Sequence, residues 1–382
     1  MPARASSLCE AGRFSEALAA LAQETGVALP HAPDFRLPQR DPRQDMQYGE
    51  SLMLCEDPKP YRGARRVLSR MPERPEVLLL SGIVETFLAR FKTAEQFLDR
   101  AVKLSPDSPW PRAWRGVARA LECRRLRTQE GLRGALADLD AAASGSAARF
   151  VYPWRAELRH DLEDMDGALK DLERILRDES ASLWARVERG EILCETGRHD
   201  DALTEFDRLV RENPRAAWAR ALRGRTLATT GREAESLSDL RKAAALDRKS
   251  GSARAWLGES LRKLGRYAEA LKSLDGALKV DPRFVLAWVW RGRIKLLQGK
   301  YAAAAKDLTH AIRLDPRYQL AFAWRGEALF KLGRRAQARR DFARVAPMDL
   351  ARTWNPVLRE GQRLTPEARS RAYEVDMQGA PA

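Results

Sequence analysis

The sequence predicts an all-α fold: a right-handed α-solenoid (superhelix) built from tandem antiparallel helix pairs. Three observations lead to this class. Glycine returns at a fixed interval of 34 residues, at Gly190, Gly224, Gly258, Gly292 and Gly326. Each interval holds two apolar patterns of helical period, and no β-type alternation is sustained. Periods of about 20 to 50 residues are typical of solenoids, in which each repeat buries its apolar face against its neighbours.

The N-terminal region, residues 1–41, is predicted to be a helix pair followed by a linker. The pair occupies about residues 1–25 and carries Gly12, Phe14 and Ala17 at repeat-like spacing. The stretch 26–41, GVALPHAPDFRLPQRD, breaks the pattern with three prolines, so we expect a long connection there.

Residues 42–350 are predicted to form the repeat array, with one degenerate unit at 42–74 and eight clearer units after it. In the unit 285–318, helices are expected over 286–297 and 302–314, with Gly299 ending the first and Pro316 following the second. The interval from Gly116 to Ala156 is longer, and the extra residues around CRRLRTQEGLRG predict a basic loop. Residues 351–382 are expected to cap the array, with Thr365 at a helix N-terminus.

The repeat unit resembles the tetratricopeptide repeat, a helix-turn-helix of 34 residues. The unit 285–318 carries the resemblance through Trp288, Gly292, Tyr301, Ala304 and Pro316. The unit 251–284 departs from it at the fourth position, where an arginine replaces the aromatic residue. The resemblance implies a concave groove lined by the first helix of each pair.

An arginine at unit position 7 and an acid at position 23 occur together. Both are lost in the same unit, at Leu257 and Ser273. The two positions lie equally far from the turn, so antiparallel helices bring them side by side, and we expect a structural ion pair within each hairpin. The alternative is a row of arginines that binds phosphates. The predicted pairs are Arg155–Asp171, Arg189–Glu205, Arg223–Asp239, Arg291–Asp307 and Arg325–Asp341, with Arg115–Asp138 as a sixth across the insertion.

Two further unit positions are expected to face a partner in the groove. Position 2 is aromatic in four successive units, and position 9 is charged. The aromatic candidates are Trp110, Phe150, Trp184 and Trp218, and the charged candidates are Arg225, Glu259, Arg293 and Glu327. The alternative for the aromatics is packing against the end of the preceding second helix.

Composition limits the function classes. Lys and Arg exceed Asp and Glu by 15, which suits an acidic partner. The four cysteines and four histidines show no disulfide framework or metal-ligand spacing, and no phosphate-binding or catalytic motif occurs. No cofactor is therefore expected. With no secretory signal or membrane-spanning run of apolar residues, we expect a cytoplasmic protein that is not an enzyme.

The sequence therefore favours a non-catalytic scaffold that binds a peptide or a helix of a protein partner in its groove. One alternative is a basic repeat protein that binds RNA or another polyanion. The net charge and the basic insertion favour it, the latter with Arg124, Arg125, Arg127 and Arg133. Another is an accessory subunit of a separately encoded enzyme. The identity of the partner stays open.

Overall fold

The computed structural model describes residues 2–25, 59–126, 128–178 and 182–345. These residues form nineteen α-helices and one 3₁₀ turn, and they contain no β-strand. Consecutive helices pack in pairs, which confirms the all-α repeat architecture. Both predicted domain boundaries, after residues 41 and 350, lie outside the described residues, as do the expected linker and the C-terminal cap.

The chain divides into two compact units, Met1–Ile192 and Leu193–Ala382. The helices of the first unit are α1 (Pro2–Glu10), α2 (Phe14–Thr25), α3 (Lys59–Leu68), α4 (Pro75–Phe87), α5 (Phe91–Leu104), α6 (Pro109–Leu126), α7 (Leu132–Ala142), α8 (Ala148–Asp161) and α9 (Met165–Asp178). Helix α10 (Leu183–Glu195) begins in the first unit and ends in the second.

The helices that follow in the second unit are α11 (His199–Glu212), α12 (Ala217–Thr229), α13 (Glu233–Leu246), α14 (Gly251–Lys263), α15 (Tyr267–Val280), α16 (Val285–Leu297), α17 (Tyr301–Leu314), α18 (Gln319–Lys331) and α19 (Arg335–Arg344). In each hairpin from α4–α5 to α18–α19, the even-numbered helix is the first and the odd-numbered helix is the second.

The first helix of most hairpins ends at a residue in the left-handed backbone region. Gly265 and Gly299 have φ of +73° there, and in two earlier hairpins Ala89 and Glu163 adopt the same conformation. Such a residue closes the helix and turns the chain back sharply. The turn places the second helix antiparallel against the first.

The recurring glycine at unit position 8 lies where the two helices of a hairpin cross. A Cβ at Gly258 would lie 2.6 Å from Cγ of Leu274, and one at Gly326 would lie 2.6 Å from a ring carbon of Phe342. Any larger residue would push the helices apart. The repeated glycine is therefore a packing requirement of the hairpin.

The extra residues after Gly116 do not form the basic loop expected from the sequence. They lengthen helix α6 to 18 residues, against 13 for the first helices of the later hairpins. Arg124 and Arg125 lie in its last turn. The apolar and cationic side chains between 117 and 126 keep a helical spacing, so the helix continues through them and the short connection starts only after Leu126.

The core of each unit runs along its helix pairs. In the first unit, one buried cluster joins the N-terminal pair to α8. In the second, a cluster extends from α13 to α18 around the fully buried Trp290. Among the described helices, none has the length and apolar character that crossing a membrane requires.

Candidate functional site

The arginine at unit position 7 holds two acids at once. Arg291 donates from Nε and Nη2 to the two carboxylate oxygens of Asp307, both at 2.8 Å, which is the fork geometry of a bidentate pair. Its remaining nitrogen, Nη1, lies 2.7 Å from Oδ1 of Asp275. Asp307 belongs to the same hairpin and Asp275 to the preceding one. The guanidinium therefore ties two hairpins together.

The same arrangement recurs along the chain. In each case the first acid is in the hairpin of the arginine and the second is in the hairpin before it. The sets are Arg115 with Asp138 and Asp99, Arg155 with Asp171 and Asp140, and Arg223 with Asp239 and Asp207. The hydrogen bonds that Arg223 donates to Asp239 raise the pKa of Arg223 against the opposing effect of burial, so the bridge stays charged.

The second acid was missed by sequence reasoning, although a signal for it exists. It lies 15 or 16 residues before its arginine. Where the arginine is replaced by Leu257, the residue 16 positions earlier is Arg241 in place of an acid. In the last hairpin, Arg325 holds Asp341 at 2.7 Å, but its outer nitrogen meets the hydroxyl of Thr309 at 3.3 Å.

The pair Arg189–Glu205 stays a prediction. Arg189 belongs to the first compact unit and Glu205 to the second.

Two of the four position-2 aromatics lie in the core of the first unit. Trp110 is 5% exposed, and its Nε1 donates to the carbonyl of Glu10 at 2.9 Å and to Oγ of Ser146 at 3.0 Å. Its ring centroid lies 4.9 Å from that of Phe14 and 5.6 Å from that of Phe150. The N-terminal helix pair thus covers the ring, which favours the packing alternative for Trp110 and Phe150.

The other two aromatics differ in setting. Trp184, at the start of α10, is half-buried, and Trp218, at the start of α12, is 8% exposed. They belong to the first and second units respectively. A continuous row through all four aromatics stays a prediction.

The position-9 charges of the second unit are held by their own neighbours. Glu259 is 1% exposed and accepts from Nε and Nη2 of Arg262 at 2.8 and 2.7 Å. The guanidinium of Arg293 stacks on Trp324, with Cζ 4.4 Å from the ring centroid. Arg225 and Glu327, the remaining two candidates at this position, are half-buried and take part in further contacts.

Tyr318 lies near two of these charges, those of Glu259 and Arg293. Its phenol is buried, and burial raises its pKa well above the usual range; the nearby carboxylates of Glu259 and Asp315 add to the effect and Arg293 opposes it. The hydroxyl therefore keeps its proton. Within the described residues, no group forms a hydrogen bond with it. We call Glu259, Arg262, Arg293, Tyr318 and Trp324 the Tyr318 cluster.

Two arginines of the basic insertion form ion pairs within the chain. Arg124 lies 2.7 Å from Glu157 and 2.8 Å from Asp161, and Arg125 lies 2.7 Å from Glu122. Burial alone would lower the pKa of Arg124, but the two acids outweigh it and raise that pKa. The pairing of these two arginines reduces the charge that this part of the surface offers to a polyanion.

Groups with metal-ligand character do not come together in the described part of the chain. Three or more His, Cys, Asp or Glu side chains are nowhere placed there to hold an ion. Three of the cysteines, Cys9, Cys123 and Cys194, are buried thiols.

Comparison with protein families finds repeat signatures in both units. Family models described as tetratricopeptide repeat match residues 160–225 and, in two overlapping segments, 257–309 and 292–352. No curated protein matches the chain.

Many solved structures match the fold. A tetratricopeptide repeat protein from Parabacteroides merdae is 20% identical, with a TM-score of 0.57 over 67% of this chain and 98% of its own. TTC0263, a tetratricopeptide repeat protein of Thermus thermophilus, is 24% identical over 50% of this chain and 97% of its own, with a TM-score of 0.41. YrrB, described as a tetratricopeptide repeat protein with an unusual peptide-binding site, is 22% identical over 50% of this chain and 95% of its own, with a TM-score of 0.39.

Proposed function

Because the chain belongs to the tetratricopeptide repeat family, we propose that it is a non-catalytic scaffold that binds a peptide or a helix of a protein partner along its first helices. The binding surface in this proposal includes the half-buried position-9 charges Arg225 and Glu327 and the half-buried side chain of Tyr318; the rest of the Tyr318 cluster is buried and keeps that surface ordered. Affinity comes from charged and aromatic groups that are already ordered before the partner arrives, which lowers the entropic cost of binding.

The observation that carries the proposal is the hydroxyl of Tyr318. A buried hydroxyl without a hydrogen bond costs about 1–3 kcal/mol. In this proposal, a small movement of the half-buried Tyr318 side chain brings its hydroxyl to an acceptor on the partner, which removes that cost. The raised pKa keeps the phenol a donor at neutral pH. Arg293, stacked on Trp324 and only 7% exposed, keeps its charge close to the phenol. A backbone carbonyl with a neighbouring carboxylate is the partner chemistry that fits these two groups.

The test is a selection of random peptides displayed on phage against the immobilised full-length chain. Selected peptides are then measured by fluorescence anisotropy against Arg293→Gln and Tyr318→Phe, with Arg211→Gln on the exposed face of α11 as the control. We expect both cluster variants to weaken binding about tenfold, equivalent to one lost charge-assisted hydrogen bond, and the control to bind normally. Peptides that bind all three variants like the wild type, or a selection that yields none, would refute the proposal.

The alternative of polyanion binding is weakened by the ion pairs of Arg124 and Arg125. It predicts strong retention on heparin with a steep loss in salt. For the alternative of an enzyme accessory subunit, the expected finding is that a partner captured by the chain is itself catalytic.

A further inference from the structure

A cleft of about 890 Å³ lies between the second helices α17 and α19 of the last two hairpins, away from the Tyr318 cluster. We propose that it is a separate binding site, which takes a short acidic segment of a protein partner. No residue of the Tyr318 cluster lines it. The site therefore goes beyond the function proposed above and does not depend on binding along the first helices.

The cleft has a large excess of positive charge. Seven Lys and Arg side chains line it, against two carboxylates. Both carboxylates are buried and already bonded: Asp307 to Arg291 and Lys295, and Asp341 to Arg325. The other four cations form no ion pair with any described residue. They are exposed on the two walls: Lys306 and Arg313 lie on α17, Arg340 lies on α19, and Arg334 directly precedes α19.

A single residue difference explains part of this excess. In the earlier hairpins, the outer nitrogen of the bridging arginine meets an aspartate, as Arg291 meets Asp275. In this cleft, Arg325 meets Thr309 instead, so one carboxylate is missing from the wall.

The corresponding cleft between α11 and α13 shows that the charge is local. Its lining includes three acids, Asp207, Glu235 and Asp239, and two arginines, Arg223 and Arg232. The arginines are paired with those acids. The arginines of the earlier cleft are thus matched by acids, whereas four cations of the last cleft are not. A polynucleotide would need cations along a longer track, whereas a short acidic peptide needs only this cleft.

The spacing of the cations fits an extended peptide. Lys306 and Arg313 are seven residues apart on α17, which is about 10 Å along a helix. In a polyproline II segment, acidic residues three positions apart lie on the same side of the chain and about 9 Å apart. At the floor, Trp288 packs against His310 with ring centroids 4.1 Å apart, which offers an apolar contact to a side chain between the acids.

The test uses the full-length chain and a fluorescein-labelled peptide with Asp at every third residue and Ser between. Its neutral counterpart carries Asn in place of Asp. The site variant is Arg313→Glu/Arg340→Glu. The control is Arg211→Glu/Lys272→Glu, which makes the same charge change at the same unit positions on α11 and α15, where both side chains are exposed.

We expect the acidic peptide to bind the wild type and the control within about twofold of each other, and the site variant to lose at least about tenfold in affinity. The neutral peptide should not bind. Circular dichroism checks that both variants are folded, and Arg313→Gln/Arg340→Gln serves as a milder site variant if charge reversal unfolds the chain. No binding of the acidic peptide, or an equal loss in site and control variants, overturns the site. A single-stranded oligonucleotide of equal charge that binds this cleft more tightly than the peptide overturns the choice of partner.

Discussion

Removal of Arg291 tests whether the bridging arginine holds neighbouring hairpins together. In Arg291→Met, Asp307 loses both hydrogen bonds of the bidentate pair while its side chain stays 5% exposed. Removing one member of a buried ion pair costs about 3–5 kcal/mol. Lys295, with Nζ 2.7 Å from the same carboxylate, remains and offsets part of that cost. Asp275 is 53% exposed, so its pair contributes less than about 1 kcal/mol.

We therefore expect Arg291→Met to lower the free energy of unfolding by about 2–3 kcal/mol. In a double-mutant cycle, the coupling between Arg291→Met and Asp307→Leu should be about 2 kcal/mol, and that with Asp275→Leu less than about 1. The measurement is urea unfolding followed by circular dichroism. Because repeat arrays can lose two-state behaviour, hydrogen exchange of α16 and α17 amides provides the local readout. Additive losses in the Asp307 cycle, or equal coupling in both cycles, would refute the bridge.

Three other changes test further parts of the structure. Gly258→Ala should lower the free energy of unfolding by about 1–3 kcal/mol in urea, because its Cβ would lie 2.6 Å from a leucine of α15. Gly134→Ala is the control: it is a helical site with nothing within 4 Å of the added Cβ, so this substitution should stabilise the chain. Equal effects of the two substitutions would contradict the argument that Gly258 lies at a helix crossing. Thr309→Asp should give Arg325 its missing acid, raise stability by less than about 1 kcal/mol and weaken the acidic peptide; unchanged affinity would argue against the cleft. Burial, with nearby acids, raises the pKa of Cys9 to about 12 from the ordinary 9.0, so the folded chain holds this proton longer than the unfolded one and stability should fall as pH rises through that window. Thermal melts of wild type and Cys9→Ala across the window check this, and an identical fall in both would contradict it.

The hairpin itself could be predicted from the sequence. The interval of 34 residues, the turn glycines and the small residue at the crossing are all local to one unit, and they fix two helices and the angle at which they meet. The spacing of 16 residues between Arg291 and Asp307 belongs to the same local geometry. A short-range pattern is enough here because each of these interactions joins two residues of the same hairpin.

The setting of the candidate site residues depended on contacts between hairpins. Trp110 occupies the same unit position as Trp218, but its indole donates to a carbonyl 100 residues earlier in the chain. The local sequence pattern does not predict that the N-terminal helix pair covers the ring of Trp110. Likewise, the basic charge of the last cleft depends on which side chains neighbouring hairpins bring together.

The sequence by itself determined the repeat unit, because helical period, turns and close packing are encoded within about one hairpin. Only the tertiary structure decided which aromatic is covered, which acid completes each arginine and where cations are left without acids. Those outcomes arise where side chains from separate hairpins compete for the same space and the same charges. At Thr309, a hydroxyl stands where earlier hairpins have an aspartate beside the bridging arginine, and the cleft that it lines keeps its positive charge.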